Sequence, residues 1–288
     1  MKIAITGGTG FIGRHVLAAL QDYCSHQIVI AARTLPCTLQ LKSNISVVRL
    51  DLNEDTSDAY SCLGEPDLLI HLAWEGLSDF KSTAHFEKEL PKQYSFLKNM
   101  VVSGTKSIFV TGTCLEYGLL SGELHEDMPC EPTTVYGLAK DSLRQQLSYL
   151  KKEYEFKLTW ARIFYIEGDS ETRPSLFSSL RCNSIAGEEF FNMSQGDQLR
   201  DYLSVDTVAR LIVSLALKML DVGKVNLCSG NPVSVRSLVE ARIIENGWKI
   251  KLNLGYYPYP DYESMAFWGS TKKLNRILQD EAIYTCET

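Results

Sequence analysis

Two residues one helical turn apart carry the first chemical signal. In Tyr136-Gly-Leu-Ala-Lys140 a phenol and an ammonium stand four positions apart, and positions i and i+4 of a helix share a face. A lysine so placed can lower the phenol's pKa by its charge and can reach a ribose. The tyrosine can then exchange a proton with a carbinol or carbonyl oxygen. Such a pair is common by itself. It gains weight from TGGTGFIG at 6–13, where Gly7, Gly10 and Gly13 follow an apolar run at 2–6 and open a helical pattern. Glycines at this spacing let the backbone approach a pyrophosphate seated at the N-terminus of the next helix. The alternative is a tight β–α turn that holds no ligand.

Three further stretches bear chemistry. A site for NAD usually places an acid roughly 20 residues past the glycines. Here Ala32 stands at that place and Arg33 follows it. A guanidinium there suits the 2′-phosphate of NADP(H), unless Arg33 is simply a solvated surface residue. Asp51-Leu52 ends a third apolar run, so Asp51 either meets an adenine amino group or caps the next turn. The segment TGTCLEYG at 111–118 supplies two hydroxyls, a thiol, a carboxylate and a phenol at the end of the apolar run 107–110.

The elements that must position these groups follow from periodicity. Strands are expected at 2–6, 27–32, 46–50, 67–72, 107–111, 158–163 and 224–227. Helices are expected at 14–23, 86–102, 136–154, 205–220 and 234–246. Strands alternating with helices imply right-handed crossovers and a parallel sheet covered on both faces, and the near-continuous apolar runs fit strands buried on both sides. The fold class is therefore α/β, a Rossmann-type doubly wound parallel sheet with a smaller C-terminal substrate-binding lobe. Residues 1–165, with about 204–232 returning to them, form the cofactor domain. Residues 166–203 and 233–288 form the lobe, whose stretch 253–268 is rich in aromatics and proline.

The 288 residues are 45% hydrophobic with a net charge of -6, which gives no general basic field for nucleic acid. No apolar run approaches the ~20 residues of a membrane span. The eight cysteines form no CxxC pair, so neither a metal site nor a redox dithiol is expected. A cytoplasmic protein with reduced thiols, the cysteines including Cys114 being small core residues, is the expectation.

As a set, Gly7-x-x-Gly10-x-x-Gly13, His71-Leu72-Ala73, Thr113 ahead of Tyr117-Gly118, Tyr136-x-x-x-Lys140, and Arg200-Asp201-Tyr202 with Asp206 resemble an extended short-chain dehydrogenase/reductase. The branch is that of the nucleotide-sugar epimerases, dehydratases and reductases, and the similarity runs over essentially the whole chain. The resemblance implies a triad of Thr113, Tyr136 and Lys140, with Tyr136 as acid/base. It implies a cofactor held along Gly7, Gly10, Phe11, Ile12, Gly13, Arg33, Asp51, Leu52, Leu72 and Ala73, together with Tyr136 and Lys140. Arg200 would contact the diphosphate of a nucleotide-sugar substrate, unless it is an ion pair tying the lobes together. Tyr165 stands where relatives often have a substrate-facing asparagine, which unsettles the usual pyrophosphate contact.

Relatives that act as dehydratases carry an Asp-Glu pair directly after the threonine. Cys114-Leu115 stand there instead, which speaks against dehydration. The Ala32-Arg33 pair favours a consumed NADPH over a retained NAD. His71-Leu-Ala-Trp-Glu-Gly76, TGTCLEYG and Ala266-Phe-Trp-Gly269 are similar to reductases of nucleotide-linked 4-keto-6-deoxyhexoses, which make dTDP-fucose, dTDP-6-deoxytalose or CDP-abequose type products for surface polysaccharides. A 4-epimerase with tightly bound NAD is the alternative. Trp74, Cys114 and Glu116 are expected at the sugar. Trp74 could otherwise pack a loop, and Glu116 could cap a neighbour or face solvent. Homodimers through the helices at about 86–102 and 136–154 are common in relatives.

Overall fold

Lys2–Thr6 (β1) leads through the glycine turn into Phe11–Leu20 (α1), and Gln27–Ala32 (β2) and Ile45–Arg49 (β3) follow. After the single turn Ala59–Cys62 (α2), the chain forms Leu68–His71 (β4), Leu90–Ser103 (α3), Ser107–Thr113 (β5), the short Gly122–Leu124 (β6), Val135–Leu150 (α4) and Lys157–Ile163 (β7). The second part holds Tyr165–Glu167 (β8), Leu176–Ile185 (α5), Phe190–Asn192 (β9), Leu199–Ser204 (β10), Val205–Leu217 (α6), Gly223–Leu227 (β11), Pro232–Ser234 (β12), Val235–Glu245 (α7), Lys251–Asn253 (β13), Phe267–Gly269 (β14) and Lys272–Gln279 (α8). The structure is a computed structural model and describes residues 1–21, 23, 25–34, 42–168 and 175–279. Cys24, Cys37 and Cys286, residue 22 of the expected helix 14–23, and residues 169–174 and 280–288 of the expected lobe lie outside the described residues.

Seven parallel strands form the central sheet in the order β11-β7-β5-β4-β1-β2-β3. It is a Rossmann-like sheet with helices on both faces. On one face α1, α6 and α8 bury Val16, Leu20, Ile212 and Leu274 against Ile3, Ile5, Ile30 and Val225. On the other α3 and α4 bury Phe96, Met100, Leu143 and Leu147 against Leu69, Ile108, Val110 and Trp160. Isoleucine, valine and leucine dominate because each strand meets apolar surface on both sides. The chain runs outward in one direction from β1 and in the other from β4. Their C-terminal ends therefore flank the point where strand order reverses, the crevice in which open α/β sheets bind ligands.

The remaining strands form small sheets: β12-β10-β8, β13-β9 and β14-β6. A separate apolar cluster of Leu180, Phe191, Met193, Val239 and Ile250 supports α5 and α7. β14 pairs with β6, so the aromatic tail is fastened beside the end of β5.

Some expectations need correction. The helix expected at 86–102 begins as a wide π turn, His85–Glu89, before α3. Pro91 sits in the first turn of α3 and has no N–H to give the preceding turn. The helix expected at 136–154 is α4, which starts one residue earlier because the Thr134 hydroxyl accepts from the Gly137 N–H at 3.0 Å. It stops at Leu150. Cys62 and Cys182 are exposed rather than core residues. Among the described residues no helix is long and apolar enough to cross a membrane.

Candidate active site

The glycine turn closes on itself before it can hold anything else. The Gly10 N–H donates to the Gly7 carbonyl at 3.0 Å, and a Cβ on Gly13 would lie 2.1 Å from that same carbonyl oxygen. Gly10 caps α1 with no side chain, and the first turn carries no acid. Its N–H groups and positive dipole end are thus left for an anion. A cleft of about 680 Å³ starts here, lined by Gly7, Phe11, Ile12 and Gly13, and runs past Leu72 and Trp74 to Thr113, Cys114, Tyr136, Lys140 and Tyr165. A side recess of about 170 Å³ is lined by Arg33, Asp51, Leu52, Ala73 and Trp74, and shares Gly7 and Leu72 with the main cleft. An uncapped helix end between a long cleft and a side recess suits a dinucleotide, with its diphosphate at α1 and its adenosine towards Arg33 and Asp51.

Thr113 ends β5 and caps the short turn Cys114–Tyr117. Its hydroxyl accepts from the Leu115 N–H at 3.3 Å, and its own N–H donates to Glu116 Oε1 at 2.9 Å. This reciprocal capping box fixes the backbone at Thr113. It also corrects the expectation for Glu116. That side chain is fully buried beneath the cleft and does not line it. Glu116 accepts from Arg162 Nε at 2.7 Å and from Trp160 Nε1 at 3.0 Å. Gly112 lets this happen, since a Cβ there would stand 2.3 Å from Trp160 Nε1 and 2.5 Å from Glu116 Oε1. Arg162 spans to Cys130 Sγ at 2.7 Å and lies 3.9 Å from Asp141. Glu116, Cys130 and Asp141 form the one group of candidate metal ligands among the described residues, and a guanidinium already bridges them.

Tyr136 and Lys140 project from the first two turns of α4 into the cleft. The Tyr136 ring stacks on Phe80 at 5.3 Å, meets His85 at 5.2 Å and stands edge-on to Trp74 at 5.9 Å. Trp74 Nε1–H donates to His85 Nδ1 at 3.0 Å, and His85 Nε2–H donates to the Asp79 carbonyl at 2.9 Å. These partners place the His85 ring proton on Nε2. Trp74 therefore both packs the loop and lines the cleft, and its ring face lies 4.2 Å from Lys140 Nζ. Burial pushes the Lys140 ammonium down to about 7, with Glu116 and Glu89 opposing. Burial, with Lys140 nearby, also pushes His71 down to about 3, so its imidazole is neutral. His71 Nδ1 is 2.8 Å from the Thr6 hydroxyl.

At the far end Tyr165 and Glu263 line the cleft, and the Tyr165 hydroxyl donates to Glu263 Oε1. Arg200 does not line the cleft, contrary to the expectation for it. It is 2% exposed, donates from Nη2 to Glu263 Oε2 at 3.0 Å and from Nη1 to the Leu199 and Met265 carbonyls, and lies over the Phe267 ring. It is the ion pair that ties β10 to the C-terminal tail. Burial and then the Glu263 charge raise both Tyr165 and Cys114 far above their usual ranges, so both are protonated at neutral pH. Asp51 both lines the recess and caps a turn, accepting from Asn53 N–H at 3.0 Å. Sequence reasoning missed Glu75, Lys92, His85 and Glu263. Glu75 stands in plain view in the segment that carries Leu72, Ala73 and Trp74, whereas Glu263 lies in a tail without periodicity.

A family model described as "NAD dependent epimerase/dehydratase family" matches residues 3–228, and the chain belongs to that family. Within it, the chain is 30% identical over 272 residues to dTDP-6-deoxy-L-talose 4-dehydrogenase (NAD(+)) of Aggregatibacter actinomycetemcomitans, covering 94% of this chain and 100% of that protein. It is 23% identical to a UDP-glucose 4-epimerase of Corynebacterium glutamicum, over 83% of this chain and 79% of that one. Among solved structures, UDP-glucuronic acid 4-epimerase from Bacillus cereus, in complex with UDP-glucuronic acid and NAD, superposes with a TM-score of 0.82 at 22% identity, covering 97% of this chain and 93% of that one. That likeness shows the fold.

Proposed function

We propose that this protein is an oxidoreductase acting at C4 of a nucleotide-linked 6-deoxyhexose, reducing the 4-keto form at the expense of NADPH for surface polysaccharide synthesis. Residues 1–165 with about 204–232 carry the cofactor, and 166–203 with 233–288 carry the sugar. The observation that carries the reading is that Thr113, Tyr136 and Lys140 line the same cleft as the glycine turn. A reduced nicotinamide, when bound, supplies the hydride. Tyr136 gives its phenolic proton to the alkoxide that forms at O4 and regains a proton from solvent. Lys140, one turn along α4, steadies the phenolate by its charge and reaches for the ribose. Thr113, fixed by the capping box, hydrogen-bonds the same sugar oxygen. Cys114 and Leu115, which follow it, offer no acid for a dehydration, and Glu116 is held by Arg162. The relative whose name states 4-dehydrogenation of dTDP-6-deoxy-L-talose supports the same carbon and a closely related sugar.

A panel of nucleotide-linked 4-keto-6-deoxyhexoses assayed with NADPH and NADH tests the reading. One cofactor oxidised per sugar reduced is expected. Product without net change in the cofactor would identify the chain instead as a 4-epimerase. Tyr136→Phe is expected to lower kcat by about a hundredfold or more, with the cofactor still bound by titration.

A further inference from the structure

The recess beside Arg33 holds a cluster of charges that pair with one another. Arg33 forms an ion pair with Glu75 through Nη1 and Oε1. The other Glu75 oxygen lies 3.1 Å from Lys92 Nζ. Lys92 also pairs with Glu89 and donates to Asn53 Oδ1 at 3.0 Å. The Glu75 backbone is pinned from behind, since its N–H donates to Glu89 Oε2 at 3.2 Å. From outside inwards the side chains of Arg33, Glu75 and Lys92 are 64%, 40% and 12% exposed. Asp51 completes the wall, its carboxyl held below the usual range by Asn53, with Arg33 and Lys92 contributing. Two cations thus face three carboxylates, Asp51, Glu75 and Glu89, where Arg33 read alone suggests a positive pocket.

We propose that Glu75 sets the preference between NAD(H) and NADP(H) by occupying the cations a 2′-phosphate would need. Its carboxylate spans Arg33 and Lys92 as an oxyanion would. A dinucleotide ending in a free 2′-hydroxyl leaves that bridge intact. One carrying a 2′-phosphate must displace Glu75 and then sit beside its negative charge. The bridge is partly exposed, and such pairs are weak, so the preference is graded rather than absolute. Arg33 and Glu75 together, not Arg33 alone, decide how well the phosphorylated cofactor competes. This rests on reading the recess as the adenosine end of a nicotinamide dinucleotide site.

Calorimetric titration of wild type, Glu75→Gln and Arg33→Ala/Glu75→Gln with adenosine 2′,5′-bisphosphate and with 5′-AMP tests it without the sugar substrate. Removing one negative charge a few ångströms from a dianion is expected to tighten the bisphosphate about tenfold in Glu75→Gln. Affinity for 5′-AMP should stay within about twofold, and the added Arg33→Ala should cancel the gain. Glu75→Ser, which removes both charge and reach, should shift the ratio in the same direction. A bisphosphate-to-AMP ratio that stays put in both single Glu75 variants, with AMP still bound, overturns the role of Glu75 and leaves the dinucleotide site standing. No binding of either nucleotide to any variant overturns the dinucleotide reading itself, and this inference with it.

Discussion

Lys140→Met is expected to raise the melting temperature while removing turnover, two effects of opposite benefit from one side chain. Lys140 is 2% exposed. The two carboxylates whose charge it feels are engaged elsewhere: Glu116 with Arg162 and Trp160, Glu89 with Lys92 and Gln93. The ammonium rests instead on aromatic faces, 4.2 Å from the centre of Trp74 and 5.8 Å from that of Trp160, contacts worth about 1–2 kcal/mol when desolvated. Burial outweighs them and brings the group from its ordinary 10.5 to about 7. Between these values the unfolded chain holds a proton that the folded chain has shed, so stability rises with pH across the window. Below about pH 7 both states are charged and the folded state carries the whole penalty, roughly 3–5 kcal/mol. Methionine has similar length and no charge, so the variant should melt several degrees higher near pH 6, with the advantage fading towards pH 10. Thermal melts across that range measure it, and a variant less stable than wild type near pH 6 would sink the assignment of Lys140 as a strained cation. Loss of turnover in the same variant follows from Lys140 steadying the Tyr136 phenolate.

The contrast between Lys140 and Arg162 explains how much of this molecule its sequence discloses. The glycine turn and the Tyr136–Lys140 pair are legible because each is local: a strand, a turn and a helix start in one case, a single helical turn in the other. The parallel sheet is legible for a related reason, since strands covered on both faces need continuous apolar runs. What stays hidden is the partner of each charged group. Glu116 meets Arg162 across 46 residues, and Arg200 meets Glu263 across 63. Sequence spacing carries no trace of either contact: it leaves Glu116 open to lining the sugar or capping a neighbour, and Arg200 to a diphosphate or an ion pair between lobes, and the structure has both in buried ion pairs. Arg33 read alone suits a 2′-phosphate or the open surface, but Glu75, 42 residues on, changes what its charge can do. Cys114 and Leu115 line the cleft wall beside Thr113.

Arg162→Met should cost about 3–5 kcal/mol of stability. Arg162 is fully buried, as is Glu116. With the guanidinium gone, Glu116 would keep only neutral donors, the Trp160 indole and the Thr113 N–H, around a charge with no access to water. The Tyr117 ring, 4.4 Å from the guanidinium carbon, and Cys130 would lose their contacts as well. Glu116→Gln in the same chain removes the stranded charge yet keeps a carbonyl oxygen facing the Thr113 N–H. The double variant should therefore recover at least half of the loss, and denaturant unfolding of the two singles and the double measures the coupling. Losses that simply add would mean that the pair is not what Arg162 supplies. The same series separates stability from positioning. Because Thr113 is held through Glu116, activity should return with the Gln oxygen in the double variant, while Arg162→Met/Glu116→Leu, which offers Thr113 no acceptor, should regain stability better than turnover.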